Sequence, residues 1–276
     1  AVLDALRSPG RSPGEQEGYD GRTLELLADS GLLVDADLLL PLAPAPPGGA
    51  PGASRVSRAD VAALAAHAGD RAAGLLASRA AADVEVASVG SAEAATVVTS
   101  LVGLLTAVGL RPRVLAHGQQ PPERAVDPPD GRRSGVLVAV GEPAREDLDG
   151  WMRTGTPHLV VRLTEGSAVI GPFVLPGETA CLRCVDAHHT DLDPAWPLLV
   201  TQQAAAVGRV REDTLPEPVD TTLATLASAW AARDLVSRAE GHPPATASTT
   251  IRLDPHLTSL ETHCWPRHPA CGCAWQ

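Results

Sequence analysis

The stretch "DVEVASVGSAEAATVVTSLVGLLTAVGL", residues 83–110, decides the fold class of this chain. Its first part is rich in valine and ends at Gly90, which is typical of a buried strand followed by a tight turn. Residues 94–110 then carry no charge, and this run is shorter than the ~20 residues that a membrane span needs. We therefore predict a strand, a glycine turn and a buried crossover helix.

Further apolar segments repeat this pattern. Strands are predicted in "RPRVLAH" (111–117), "SGVLVAVG" (134–141) and "TPHLVVRL" (156–163), and an extended pair in "SAVIGPFVLPG" (167–177). Continuous apolar strands that alternate with helices predict a parallel sheet with helices on both faces. Residues 219–239 predict a long helix, and residues 250–265 a last pair of strands. The apolar stripe of that helix is predicted to contain Leu223, Leu226, Ala227, Trp230 and Ala231.

Four of the five cysteines form two close pairs, Cys181 with Cys184 and Cys271 with Cys273. Two pairs supply the four thiolates that a tetrahedral zinc site requires, whereas a redox dithiol needs no second pair. We therefore predict a closed, structural zinc site. A redox dithiol and reduced core cysteines are the alternatives.

The spacing of the second pair leaves the ligand set open. Cys271 and Cys273 are separated by one residue, a tighter spacing than Cys-x-x-Cys. A nearby side chain could therefore replace one of them, and the candidates are His263, Cys264 and His268. His188 and His189, beside the first pair, could be metal ligands or acid–base groups. We expect them to lie on a helix surface, with Asp191 and Asp193 capping the next turn.

The N-terminal part of the sequence predicts a small separate module. Residues 1–42 show two helical segments and a hairpin, with Leu24 and Leu27 on one helix face and Leu32 and Val34 in the hairpin. This order predicts a truncated winged-helix-like module. The alternative is an N-terminal helical segment with no binding role. Residues 43–54 predict a linker of alanine, proline and glycine. Residues 55–82 predict a connecting helix that Ser57 and Asp60 cap, and residues 83–276 the α/β domain.

Composition excludes several classes of function. The chain has 276 residues and a formal charge of −11, and every basic residue is arginine. A mechanism that needs a lysine is therefore excluded, and the acidic balance argues against nucleic-acid binding. The sequence has no signal-peptide pattern and no membrane span, so we predict a cytoplasmic protein.

The segment "GPFVLPGETACLRCVDAHHTDLDPAW", residues 171–196, and the ending "HPACGC", residues 268–273, carry a family resemblance. With the strand–glycine–helix order they resemble the ThiF/MoeB superfamily of ubiquitin-activating-type adenylyltransferases. More closely, they are similar to the ThiF-like partners of YcaO cyclodehydratases, which make azoles in ribosomal peptides. The resemblance covers residues 83–276. It implies a Rossmann-like ThiF-type sheet, a zinc knuckle with four cysteine ligands and an N-terminal winged-helix element that binds a precursor leader peptide.

The nucleotide site departs from the superfamily pattern. The expected G-x-G-x-x-G keeps Gly90, but Ala92 and Thr96 or its neighbours fill the later places, and no carboxylate follows the second strand. The catalytic lysine is missing, so ATP activation and independent enzyme activity are not expected. The resemblance then implies a non-catalytic partner that presents a leader peptide to a YcaO-type cyclodehydratase. The alternatives are an active adenylyltransferase and a structural subunit of a biosynthetic complex, and a homodimer is compatible with each.

Overall fold

The structure is a computed structural model that describes residues 21–30, 56–116, 119, 133–207 and 217–273. The predicted hairpin with Leu32 and Val34 and the predicted linker lie outside the described residues. His117 and Gly118, where the superfamily would place an acidic ribose contact, also lie outside them.

The chain divides into two compact units, residues 1–76 and 77–276. In its described residues the first unit contains α1 (Gly21–Asp29), α2 (Arg58–Ala68) and a 3₁₀ turn (Gly69–Arg71), and α3 (Ala72–Ala81) begins in it. The predicted cap of α2 is confirmed, because the Ser57 hydroxyl accepts the Asp60 amide at 3.1 Å. Val56, Val61 and Leu76 form a small apolar cluster in this unit.

Seven strands of the described chain form one sheet in the order β2-β1-β3-β4-β5-β6-β7. They are β1 (Asp83–Val89), β2 (Arg111–Val114), β3 (Arg133–Val140), β4 (His158–Thr164), β5 (Ser167–Val174), β6 (Thr249–Leu253) and β7 (Leu260–Cys264). Strands β2, β1, β3 and β4 are parallel. These are the four strands that the apolar segments predict, and the predicted α/β fold class is confirmed.

The remaining strands extend this sheet in the antiparallel sense. Strand β5 follows β4 after only Glu165 and Gly166, which both have positive φ, of 51° and 70°. A two-residue turn can join only antiparallel strands, and positive φ at both positions is typical of a type I′ hairpin. The segment 167–177 therefore forms one strand and a turn, and the predicted extended pair is wrong. The predicted last pair is confirmed as β6 and β7, which are antiparallel.

Helices cover both faces of the sheet, as predicted. In the second unit they are α4 (Glu93–Ala107), α5 (Asp149–Arg153, after a 3₁₀ turn at Arg145–Leu148), α6 (Leu182–Leu192), α7 (Trp196–Ala206) and α8 (Thr221–Ala239). Val136 and Val138 of β3 belong to the core that contains α4 and α8. Leu137, between them, belongs to the core of α5 and α6. Successive residues of a strand point to opposite faces, so the two cores lie on opposite sides of the sheet.

Helix α4 is the predicted uncharged helix, and it is buried against the sheet. Leu101 and Leu105 are fully inaccessible to solvent, and both lie in the core shared with α8. Among the helices in the described ranges, none combines the length and the apolar character needed to cross a bilayer.

The predicted apolar stripe of α8 is confirmed at Leu223, Ala227 and Ala231, which are buried, and at Trp230, which packs partly buried against the same core, but it is wrong at Leu226. Ala227, Ala231 and Leu235 are buried at its centre, whereas Leu226 is 40% exposed. The small alanines let the helix approach the sheet closely, and they set its orientation. Leu226 lies about 100° from Ala227 around the helix axis and so points outward.

A buried carboxylate of α8 organises the turn before β6. Asp234 is 1% exposed and accepts hydrogen bonds from the amides of Ala245 and Thr246, at 2.9 and 3.1 Å, and from the Thr246 hydroxyl. A buried carboxylate is tolerated where several donors satisfy it. Asp234 thereby fixes the chain that leads from α8 back into the sheet.

Removal of this carboxylate should destabilise the fold more than loss of a helix cap. We expect Asp234→Ala to lower the free energy of unfolding by about 3 kcal/mol, because it leaves buried donors without an acceptor. The control Asp220→Ala removes the cap of α8, where the carboxylate accepts the Leu223 amide at 2.8 Å, and should cost about 1 kcal/mol. Chemical denaturation followed by tryptophan fluorescence measures both, and equal losses would contradict the assigned role of Asp234.

Candidate metal centre and nucleotide turn

Two turns from distant parts of the chain bring four cysteines together. Cys181 is the N-cap residue of α6 and Cys184 lies in its first turn, where the Cys184 amide donates to the Cys181 carbonyl at 2.9 Å. Cys271 and Cys273 lie on the C-terminal turn, on either side of Gly272. Gly272 has a φ of +71°, a conformation that other residues rarely adopt. This glycine explains how two ligands one residue apart can face the same point.

The sulfur positions match a tetrahedral metal site. Cys181 Sγ lies 3.4 Å from Cys271 Sγ and 3.8 Å from Cys184 Sγ, and Cys184 Sγ lies 3.4 Å from Cys273 Sγ. A zinc ion with four thiolates at about 2.3 Å separates its sulfurs by about 3.8 Å. A disulfide would bring two sulfurs to about 2.05 Å, and all these cysteines are free. The geometry therefore fits four ligands around one ion.

The cluster is closed to solvent on most sides. Cys181, Cys184 and Cys273 are buried, Cys271 is partly buried, and all four pack into the apolar core of α5 and α6. Four protein ligands leave no open coordination position for a substrate. A metal ion held here would tie the C-terminal turn to the start of α6, and it would not take part in chemistry.

The close approach of the four sulfur atoms shifts the pKa of the thiols. Hydrogen bonds from the neighbouring Cys181 and Cys271 lower the pKa of Cys184. The hydrogen bond to Cys184 raises the pKa of Cys181 in turn. Ligand sulfurs must lose their protons to bind a metal, so a divalent ion would stabilise all four thiolates at once.

The alternative ligands left open by the sequence do not join this cluster. Cys264 is exposed on β7. The ring of His263 contacts Trp265, with centroids 3.9 Å apart. Within the described residues, the four-sulfur group comprises Cys181, Cys184, Cys271 and Cys273 alone.

His268 holds the C-terminal turn in place from outside the cluster. Its Nε2 lies 2.9 Å from the Asp191 carboxylate on α6, and its Nδ1 accepts the Ala270 amide at 3.2 Å. Its carbonyl accepts the Cys271 amide at 3.1 Å. We name this arrangement, His268 with Asp191, the histidine clamp. It links the turn that carries Cys271 to the helix that carries Cys184.

His188 lies near the two clamp residues. The ligand atoms of His188, Asp191 and His268 lie within 4.8 Å of one another, a separation at which three side chains can hold a metal ion. The hydrogen bonds favour a structural role. Nδ1 of His268 accepts the Ala270 amide, so in the neutral ring the proton lies on Nε2. Nε2 is the atom that a metal would have to bind, and a protonated nitrogen is not a ligand. His188 Nε2 lies 2.9 Å from the Pro266 carbonyl and donates to it. The clamp is therefore complete without a metal.

His188 and His189 lie on α6 and take part in packing. Both are partly buried, and His189 stacks on Trp196 with centroids 4.2 Å apart. Burial is the main cause that lowers the pKa of His189, so the neutral ring is favoured. Asp193 accepts the Ala195 amide at 2.9 Å in the turn before α7, but it does not cap that helix, whose N-cap residue is Ala195 with no side-chain hydrogen bond. Asp191 instead belongs to the clamp.

A buried ion network beside α6 was not foreseen from the sequence. Arg145 donates to both oxygens of Asp186, at 2.6 and 2.7 Å, and lies 2.7 Å from Glu142. Arg162 pairs with the same Glu142 at 3.0 Å. Burial alone would lower the pKa of Arg145, but the bond to Asp186 and the charge of Glu142 raise it overall. Charged residues scattered over three segments carry no spacing that would reveal such a network.

Gly90 is required by packing against the neighbouring strand. Its φ is +113°, and a Cβ at this position would lie 2.3 Å from the Val140 carbonyl oxygen. No other residue fits there without a shift of the backbone. Packing against Val140 is therefore enough to explain this glycine, and no bound phosphate is needed to account for it.

The space beside this turn has few features of a nucleotide site. A cavity of about 400 Å³ lies between the ends of β1 and β2 and the start of α4. Apart from Ser88, Ser91 and Thr99, the described residues that line it are apolar, and none of them is basic: Ala92, Ala95, Val98, Val102, Val114 and Leu115. Glu93 occupies the first turn of α4, where its negative charge would oppose a phosphate.

The predicted peptide-binding residues are only partly described. Leu24 and Leu27 both lie in α1, and Leu27 is partly buried. Leu32 and Val34 lie outside the described residues. The peptide-binding role of this set stays a prediction.

No family model and no curated protein matches the sequence. Among solved structures, the fold is similar to the heterocyclase TruD (TM-score 0.58, 17% identity, 99% of this chain and 36% of that one). It is also similar to a heterocyclase in complex with substrate and cofactor (0.56, 19%, 99% and 33%). Escherichia coli MccB with ATP is a third similar structure (0.56, 12%, 99% and 85%). This chain thus spans about a third of either heterocyclase chain, and at these identities the likeness is one of fold.

The four cysteines should bind one metal ion per chain. We expect Cys181→Ser to lose this ion and to melt at a lower temperature, because the ion joins two distant segments. Cys264→Ser, which removes the exposed cysteine outside the cluster, should keep both properties. Elemental analysis of the purified protein and thermal melting measure the effects. A wild type without metal, or a Cys181→Ser variant with unchanged metal content, would contradict the assignment.

Loss of the histidine clamp should weaken metal binding without abolishing it. We expect Asp191→Asn and His268→Ala to lower the affinity by about 10- to 100-fold, the usual effect of residues that orient ligands. Asp193→Asn, on the same helix end, should have no effect. Competition between the protein and a chelator for Co²⁺ measures these affinities. Two ions in the wild type and one in Asp191→Asn would instead indicate a second metal site.

Proposed function

We propose that this protein is a non-catalytic partner that binds a precursor leader peptide and presents it to a YcaO-type cyclodehydratase. In this proposal the four-cysteine site holds structural zinc, and the N-terminal module contacts the peptide. The similarity of fold to two heterocyclase structures supports the class of pathway.

The observation that carries the non-catalytic role is the altered nucleotide turn. The cavity beside Gly90 is lined mainly by apolar side chains, and Glu93 occupies the start of α4. Adenylation needs cations or backbone amides that neutralise the phosphates, and this chain has no lysine at all. The described residues around Gly90 therefore support the proposal that this chain does not activate ATP. In the proposal the partner enzyme supplies the ATP-dependent chemistry.

The four-cysteine site suits a protein with a structural, non-catalytic role. A closed thiolate site binds zinc through four protein ligands and stabilises the folded chain. Bound zinc would secure the C-terminal turn beside α6. The partner would then meet a rigid α/β unit.

The proposed peptide contact lies in the N-terminal module. Leu24 and Leu27 are three residues apart on α1 and so share a face, whereas Leu26 lies on a different one. Pockets for alternate side chains give specificity to a peptide bound as an added strand, and in the proposal the face of Leu24 and Leu27 contributes to them. The leader peptide should therefore bind with an affinity that changes little with salt.

Leader binding tests the proposal directly. With a fluorescent leader peptide encoded beside this gene, we expect Leu27→Glu to weaken binding by about tenfold, a cost of about 1.4 kcal/mol. Leu26→Glu, which adds the same charge on another face, should bind as the wild type does. Fluorescence anisotropy at two salt concentrations measures both variants.

The competing function gives a different result. An active adenylyltransferase would exchange pyrophosphate into ATP in the presence of the peptide, and we expect no such exchange. Clear exchange would favour that alternative. Failure of the wild type to bind any encoded leader would contradict the presentation role. It would favour the alternative that the protein is a structural subunit of a biosynthetic complex.

A further inference from the structure

A cleft of about 770 Å³ lies on the face of the sheet that α6 covers. Helices α6 and α7 form one wall, and strands β6 and β7 form the other. None of the residues that line it also lines the cavity beside Gly90. Neither the metal centre nor the proposed leader contact uses it.

Strand β7 offers a free backbone edge along this cleft. All five of its residues are exposed, and in the described part of the chain it pairs with β6 alone. The Trp265 amide donates to the Ser248 carbonyl at 2.7 Å, just beyond the strand end. Because antiparallel pairs alternate, the amides of Glu261 and His263 then point to β6. The amides of Leu260, Thr262 and Cys264 point outward, where another strand could accept them.

The side chains at the same edge face the cleft. Glu261 and His263 line it, together with Arg252 of β6 and Trp265. A residue of an added strand that lies opposite Glu261 or His263 would share their face of the sheet. Every second side chain of the added strand would therefore point into the cleft.

The charge of the cleft favours a cation. The wall residues Glu142, Arg162 and Asp186 are neutralised within the ion network that contains Arg145. Arg252 lies opposite Glu261 in the register of β6 and β7.

Two further carboxylates on the cleft wall have no arginine or lysine counterpart. Among the described ion pairs, Glu165 has no cationic partner, and Asp191 contacts the ring of His268. The rim thus keeps a negative excess, which attracts a basic side chain.

We propose that strand β7 accepts an extended peptide segment as an eighth strand, and that an arginine or lysine of this segment enters the cleft. Main-chain hydrogen bonds to Leu260, Thr262 and Cys264 supply affinity, and the carboxylates of the cleft supply specificity. A second copy of this chain suits the edge less well, because a chain of net charge −11 repels its own copy. The inference lies entirely within residues 77–276 and does not rest on the proposed function.

The edge can be blocked without loss of a sheet hydrogen bond. Thr262→Pro removes an amide that points away from β6, a position where edge strands tolerate proline. Thr262→Ala is the matched control, since it keeps the amide. The probes are fluorescein-labelled seven-residue peptides of alternating threonine and valine, with arginine, leucine or glutamate at the centre.

With the full chain, the arginine probe should bind at least about tenfold more tightly than the glutamate probe. Thr262→Pro should weaken its binding by about tenfold, and Thr262→Ala by less than about twofold. The double variant Glu165→Gln with Glu261→Gln should remove the preference for arginine over leucine. Fluorescence anisotropy gives the affinities, and metal content and melting temperature show that each variant is folded.

Three outcomes would overturn the proposal. The first is equal binding of the arginine and glutamate probes, and the second is unchanged binding to Thr262→Pro. The third is a wild-type dimer in sedimentation that Thr262→Pro converts to a monomer, with no effect of the arginine probe, because the edge then serves a second copy. If Thr262→Pro does not fold, the double glutamine variant decides the question through the arginine preference.

Discussion

Four sulfur atoms within reach of one ion join the two ends of a long segment of this protein. Cys181 and Cys184 begin α6, while Cys271 and Cys273 end the described chain, so the cluster joins segments far apart in sequence. The long helix α8 and strands β6 and β7 lie between them. An ion bound by these cysteines would close this loop, a constraint that stabilises the folded chain more than any single surface contact would.

Around this constraint, polar groups position the segments more finely. The histidine clamp holds the C-terminal turn, and the Arg145 network joins the turn after β3 to α6. Trp196 of α7 also donates to Asp186, at 3.1 Å. Each group is satisfied by partners from a different element, so removal of one member would leave buried charge or buried donors behind. Helix α6 is therefore held at its start by the cysteines and along its length by ion pairs.

Much of the fold could be predicted because its signals are local. Apolar runs fixed the strands β1, β3 and β4 and the buried helix α4, and the paired cysteines indicated the metal cluster. The antiparallel direction of β5 depends on a two-residue turn at Glu165 and Gly166, which an apolar pattern does not reveal. The outward position of Leu226 depends on how closely the alanines of α8 approach the sheet. The Arg145 network and the open edge of β7 arise only when distant segments meet, and no spacing in the sequence encodes them.

The contact between Gly90 and Val140 has a consequence for how a glycine in such a turn is interpreted. In a G-x-G-x-x-G pattern that begins at Gly90, the later glycine positions fall on Ala92 and Ala95, and both side chains line the apolar cavity. Position 90 accepts no Cβ, because the carbonyl of the adjacent strand occupies the space that a Cβ would need. A glycine at the first position therefore reports the packing of two strands. By itself it is weak evidence of a nucleotide site.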